Sequence, residues 1–432
     1  MIAETRSLSR PDPRVELAAL AAIAVFAGAW ALLHVGFYTR HQILDTPVYQ
    51  RYGNAISRGQ VPYRDFAVEY PPGALPMFAL PGLADPGHDQ DVTPGFRHTF
   101  ETLLWFCGAT ALLAMAVVLH ATGAGRAHVW SALAFAAVVP LALGSVVLSR
   151  FDLWPAMLVV AALAALTSGW LRLGSGMLGL AIAVKLFPAV LVPLALLYAW
   201  RSAGRREALV CAGVLAAVLA VVFAPFVVLS PGGVWHSISV QLTRPLQIET
   251  LGSALLIAAH HVWGLGVTME SGSGSQNLAG SAPHALAVVE TVLQVLALLA
   301  VWIGFGRGRA TASRLVQASA AALAVFVALG KVLSPQFLIW LIPIVPLVRG
   351  RRGLWASTLL LAALVLTQLW FPFHYWRLAN HFTPRESWLL LARDAVLVAL
   401  AAVLAVPDRG RHAREPVADV RRPAQRARLV ER

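Results

Sequence analysis

The chain is written as a succession of apolar runs, many near 20 residues long, separated by polar joints rich in arginine and proline. Coiled as an α-helix, a run of that length matches the hydrocarbon thickness of a bilayer, so the fold class expected is an all-α polytopic membrane protein. Hydrophobic residues make up 58% of the sequence and charged residues 13%, a balance rare in soluble proteins. The net charge of +13 is spread over loop after loop. That spread is the positive-inside pattern of a protein sitting in a lipid bilayer, and no nucleic-acid partner is expected. Cys107 and Cys211 both lie inside apolar runs, so neither a disulfide framework nor a zinc site is expected.

Charge then sorts the loops. Residues 1–15 carry arginines ahead of the first run, Glu16–Phe37, and are expected to be cytoplasmic. That run is too long for the apolar core of a cleavable signal. A long polar first outer loop, 38–97, follows. Within it Ala74–Leu83 is too short and too proline-rich to span, and reads as a dip into the interface. Runs 98–121, 129–148 and 153–170 are expected as single crossings. The stretch 174–200 also has the length of one crossing, yet one crossing would carry Arg201, Arg205 and Arg206 outside. Two half-depth helices turning at Lys185–Pro188 keep both flanks inside, and broken backbone is tolerated where it lines a cavity.

Further crossings are expected at 207–229, 284–305, 315–330, 337–348, 354–373 and 388–406. A second outer segment, 230–283, holds a short helix and a flexible serine–glycine patch, Ser271–Asn277. The result is a bundle of about 11–12 transmembrane helices with short re-entrant or interfacial helices, filling one domain, 16–406. Both termini are expected inside, with a basic, disordered cytoplasmic tail at 407–432.

This topology gathers the unusual polar residues on one face. Leu44–Gly73 holds Asp45, Asp65 and Glu69, with Arg51, Arg58 and Arg64 between them. Arg150, Asp152, Lys185, Arg244, Gln247, Glu249, Lys331 and Gln336 fall at the same level. Ionisable groups at helix ends facing a shared cavity are functional candidates by default. Lys185 and Lys331 are the only lysines among 34 basic residues, each shortly before a proline. A compact ammonium is favoured there over a guanidinium. Glu290 and Asp394 lie within apolar runs and must face protein or a cavity. His260, His261, His374 and His381 read as interfacial residues.

The segment DTPVYQRYGNAISRGQVPYRDFAVEYPPG, residues 45–73, resembles the first outer loop of the GT-C class of membrane glycosyltransferases. It is most similar to glycosyltransferase family 87, the polyprenol-phosphate-mannose-dependent mannosyltransferases of actinobacteria. SRFDLWPA (149–156), KLFPAVLVPLALL (185–197), TRPLQIETLGS (243–253) and KVLSPQFLIWLIP (331–343) look like the same family, so the resemblance spans roughly 16–406.

It implies a GT-C-like bundle in the bacterial cytoplasmic membrane, with an extracytoplasmic active site. The implied reaction is an inverting transfer of a sugar, mannose by the resemblance, from a polyprenyl-phosphate donor to a glycolipid or glycan acceptor. Asp45, the first acid after the first helix, matches the family's general base. An acceptor hydroxyl must lose its proton as it attacks, and a carboxylate within reach can take it. The leaving phosphate is already anionic, so cations can stabilise it. Lys185, Lys331, Arg150 and Arg244 are the candidates for that task. Arg64, Asp65 and Glu69 are candidates for ordering the loop and positioning the acceptor, with Asp65 and Glu69 the local rivals of Asp45 for the base. Tyr49 and Tyr63 suit stacking on a sugar face or anchoring the loop. Asp152, Gln247, Glu249 and Gln336 complete the candidate set. No His or Cys cluster has ligand spacing, so no metal is expected, and no cofactor besides the donor.

Two other classes share this topology: a lipid or sugar transporter or flippase, and a glycan polymerase or ligase using a diphosphate-linked donor. The absence of an internal repeat and the one-sided crowding of polar residues weigh against the transporter.

Overall fold

The computed structural model describes residues 13–87, 92–272 and 274–406. The expected disordered tail, 407–432, and most of the N-terminal segment lie outside the described residues. Among the described residues the fold is an all-α bundle with one small β-hairpin; six helices are long and apolar enough to cross a membrane, and eight further apolar helical stretches, some of them partly 3-10, span 10–17 residues.

Helix α1, Pro13–Leu32, ends earlier than the apolar run predicts. The polar segment after it is largely structured: it holds α2, Thr46–Ser57, and α3, Pro76–Ala84. A 3-10 turn at Pro72–Ala74 separates them. Helix α4, Pro94–Ala121, is capped by the Thr93 hydroxyl on the Phe96 amide. The expected single helix over 129–148 is instead broken into α5, Arg126–Val138, a 3-10 turn, and α6, Val146–Ser149. Pro140 lacks an amide hydrogen and Gly144 sits at φ +67°, so the α-helical ladder cannot continue through them.

Helix α7, Leu153–Thr167, runs back antiparallel to α8, Leu171–Val184. Lys185 is extended (φ −156°, ψ 142°), and a 3-10 turn leads into α9, Val192–Ala203. Arg172 at the start of α8 makes a two-pronged ion pair with Glu207 in α10, Arg205–Leu229, at 2.7 and 2.8 Å. The segment therefore leaves and returns at the same end of the bundle. At about 1.5 Å per residue, α8 and α9 are each too short for a bilayer core of about 30 Å.

Helices α11, Pro231–Thr243, and α12, Leu251–Trp263, follow, then strands β1, Thr268–Gly272, and β2, Ser275–Ala279. The serine–glycine stretch expected to be flexible is thus mostly an antiparallel hairpin, in register from Thr268↔Ala279 to Gly272↔Ser275. Docking orders it: Ile248 donates to the Gln276 carbonyl, and the Leu278 amide to Leu246. Helices α13, Ser281–Arg307, and α14, Ala312–Ala328, come next.

The expected crossing at 337–348 is not an α-helix. Pro335–Trp340 and Val345–Leu347 are 3-10 turns buried in the bundle, because Pro335, Pro343 and Pro346 interrupt any α-helical ladder. Helices α15, Gly350–Trp370, α16, Tyr375–His381, and α17, Pro384–Ala405, complete the chain.

Helices α10 and α13 stand at the periphery with exposed apolar flanks, including Val221, Val228, Val288 and Leu296. Apolar surface of that extent belongs in contact with lipid.

Candidate functional site

Three breaks in helical structure meet at one end of the bundle: the start of α2, the corner between α6 and α7, and the turn between α8 and α9. Asp45 occupies the N-cap position of α2 but makes no side-chain cap bond. Its carboxylate reaches across to Arg150 instead, with Oδ2 at 2.8 Å from the guanidinium Nε. The Nε–H is not directed at that oxygen, so the contact is a close ion pair without hydrogen-bond alignment. The Tyr49 hydroxyl donates to the same Oδ2 at 3.4 Å. Neither contact uses Oδ1. The Asp45 side chain is 31% exposed, whereas Arg150 is buried.

Below this pair lies a second one. Lys185 donates to Asp152 Oδ1 at 2.7 Å, and the Trp340 indole donates to the same oxygen at 2.7 Å. The ammonium is ringed by Tyr70, Phe151, Phe337 and Trp340, with centroids 5.0–6.0 Å away. Cation–π attraction and an ion pair thus both hold Lys185 in place. The loop packs onto this knot through Gly73: a Cβ there would stand 2.7 Å from the backbone of Ala183. The Gly73 carbonyl also accepts from the Trp154 indole at 3.3 Å.

The tyrosines serve the packing. The Tyr49 ring is buried and stacks on Phe78 at 4.8 Å, so only its hydroxyl reaches the site. Burial pushes both the Tyr49 and Tyr70 phenols up from their ordinary range. Tyr63 donates to the Tyr70 carbonyl at 2.6 Å, and its own carbonyl accepts from Ser230, which ties α11 to the loop.

Asp65 stands apart. Arg64 binds both its oxygens, at 2.8 and 3.0 Å, and the Val61 amide adds a 2.7 Å bond. The guanidinium first, then that amide, hold this exposed carboxyl down at about 2. The Glu69 backbone carbonyl accepts from Gln241, and its exposed carboxylate faces the hairpin at Gly274.

Arg244 and Lys331 line a cavity of about 490 Å³ together with Glu270, His284, Val288 and Val292. Burial lowers both cations from their ordinary values, and for Arg244 the charge of Glu69 is the largest opposing influence. Lys331 donates to the Leu242 carbonyl at 3.0 Å. Lys185 and Arg150 do not line this cavity.

Glu249 is buried beside this group. Gln247 Nε2 donates to its carboxylate and to Ser334, each at 2.8 Å. Burial pushes Glu249 up to about 8, against the pull of Arg393. Gln336 is half-buried in the 3-10 turn that also presents Trp340.

Sequence reasoning gave no role to Arg393 or Glu290. Arg393 Nη2 donates to the Glu249 carbonyl at 2.6 Å, its Nε lies 2.8 Å from Asp394, and its guanidinium lies over Trp370. Glu290 accepts from the Gly252 amide at 2.6 Å. Their signal in the sequence was an ionisable residue inside an apolar run. His261 contacts Ser387, and His260 contacts the Leu265 carbonyl, both away from Asp45's neighbours. Among the described residues no group of three or more His, Cys, Asp or Glu side chains is placed to hold a metal ion.

No family model matches the chain, and no curated protein matches it. Among solved structures it is similar to the crystal structure of ArnT from Cupriavidus metallidurans bound to undecaprenyl phosphate. The identity is 13%, with 90% of this chain and 76% of that chain covered and a TM-score of 0.46.

Proposed function

We propose that this chain is a membrane glycosyltransferase that moves a sugar from a polyprenyl-phosphate donor to a lipid-linked or cell-envelope glycan acceptor. The sugar is mannose, the transfer is inverting, and the site faces the extracytoplasmic side. One observation carries the reading. Among the site's acids, Asp45 combines an exposed face, a fixed orientation and an uncommitted oxygen, Oδ1.

The neighbouring acids differ in ways that matter for a base. Asp152 is fully buried and bound to Lys185 and Trp340. Asp65 has both oxygens engaged by Arg64, and a carboxyl held at about 2 is a feeble proton acceptor. Glu249 is buried behind the site. Asp45 Oδ1 can take the proton of an acceptor hydroxyl as its oxygen attacks the anomeric carbon. Arg150 holds the other oxygen meanwhile, which fixes the direction of attack.

The donor phosphate fits the cavity bearing Arg244 and Lys331. Two cations there meet an apolar wall from α13, the chemistry that a phosphate on a long hydrocarbon requires. Lys185 and Asp152 then act one step back, by locking the corner that presents Arg150. Tyr63 and the Arg64–Asp65 pair shape the loop over the acceptor.

The experiment supplies membranes containing the full chain with a panel of polyprenyl-phosphate sugars and reads glycosylated product. Transfer from polyprenyl-phosphate mannose that disappears in Asp45→Asn at unchanged expression supports the reading. Transfer only from diphosphate-linked donors, or movement of intact lipid without transfer, would replace it with the polymerase or flippase alternative.

A further inference from the structure

Glu290 is an acid in the first half of α13, a helix with exposed apolar flanks. Val289 and Leu293 are exposed, yet Glu290 is 3% exposed. It turns inward onto the first turn of α12, where its Oε1 accepts from the Gly252 amide at 2.6 Å. The Thr250 side chain caps the same turn through the Ser253 amide. A carboxylate at that position also faces the positive end of the α12 dipole. The fit at Gly252 is close: a Cβ there would stand 2.9 Å from the Leu286 side chain and 3.1 Å from the Glu290 carboxyl carbon.

This contact joins two walls of one cavity. On α13, Ala287, Val288, Thr291 and Val292 form one wall, bracketing Glu290 in the sequence. The other wall is the segment Thr243–Leu246, which runs through Glu249 directly into α12. That segment is clamped elsewhere too: Gln247 donates to the Lys331 carbonyl, and Arg393 donates to the Glu249 carbonyl. Among these clamps Glu290 comes from α13 itself.

We propose that Glu290 is a positioning residue. Through the Gly252 amide it sets the distance between α13 and the segment carrying Arg244, and so the width of the cavity that receives the anionic headgroup. The inference rests on the reading of that cavity as the donor phosphate site. It requires a hydrogen-bond acceptor at 290 rather than a negative charge as such.

The test uses the full chain in detergent micelles, with undecaprenyl phosphate as the probe. Deuterium exchange of the peptide spanning 250–256 is followed in parallel. Glu290→Leu leaves a buried amide without its acceptor, so exchange at the start of α12 rises and probe binding weakens by about tenfold. Glu290→Gln keeps an oxygen that accepts from Gly252 and stays within about threefold of the parent in both readouts. Gly252→Ala, whose Cβ crowds the Glu290 carboxyl and the Leu286 side chain, behaves as Glu290→Leu does and carries the test if the leucine variant does not fold.

Parent-like exchange in Glu290→Leu and Gly252→Ala would overturn the proposal. So would a glutamine variant as impaired as the leucine variant, because charge rather than the acceptor would then be at work. If the parent protein binds no undecaprenyl phosphate while exchange changes as expected, the headgroup role fails and the tether of α12 to α13 stands.

Discussion

Asp45 and Arg150 meet at 2.8 Å although one closes the approach to α2 and the other turns the corner before α7. The pair fastens a polar loop to the helical bundle at the level where Lys185 and Asp152 form their own pair. An N-cap aspartate ordinarily satisfies its own helix. Here that bond is not made, and the carboxylate is held at the mouth of the site instead.

Replacing Asp45 with asparagine keeps the shape and removes the base. Turnover in membranes is expected to fall by about 10²–10⁴-fold, the usual contribution of general-base catalysis, with expression unchanged. A variant that still turns over at the parent rate would shift the assignment to Glu69.

Arg150→Gln should lower kcat by about 10–100-fold, because the buried cation that holds Oδ2 and so orients the base is removed. Donor KM should change little, since Arg150 does not line the cavity with Arg244 and Lys331. Steady-state kinetics at saturating donor separates the two parameters.

Arg244→Ala and Lys331→Ala should show the converse pattern. Each removes one cation from the donor cavity, so donor KM rises by about tenfold or more while kcat is less affected. Equal loss of kcat in both variants would place these cations at the reacting bond instead.

Asp152 is buried and Lys185 half-buried, so breaking the pair from one side is costly. Asp152→Asn or Lys185→Met should each destabilise the protein by about 3–5 kcal/mol, read as a fall in the detergent melting temperature. The double variant should lose less than the sum of the two, because neither charge is then left uncompensated. The exposed Arg64–Asp65 pair provides a contrast: Asp65→Asn should leave the melting temperature close to that of the parent.

Glu249 gives a pH signature. Its folded-state value of about 8 lies above that of an unfolded glutamate, so the folded protein binds the extra proton. The resulting stabilisation is full below the unfolded value and is lost as pH rises through about 8. Melting temperature should therefore fall between pH 6 and pH 8, by the arithmetic of about one proton, and Glu249→Gln should flatten that part of the profile.

The sequence by itself determined a great deal, because a bilayer leaves few options. Apolar runs specified helices, and arginines placed Arg172 and Arg205 at one end of the bundle, as the Arg172–Glu207 pair displays. The polar loop, Asp45, Arg150, Arg244 and Glu249 were all visible as charges out of keeping with their surroundings. Tertiary structure decided what each charge touches. Nothing local says that Asp152 binds Lys185 and Trp340, that Arg64 occupies both oxygens of Asp65, or that Arg393 and Glu290 clamp the segment around Glu249. Those partners lie on other helices, and the choice among them is set by packing and burial. Proline did the rest: it turned two predicted crossings, 129–148 and 337–348, into broken helix and 3-10 turns by removing amide donors that an α-helix requires.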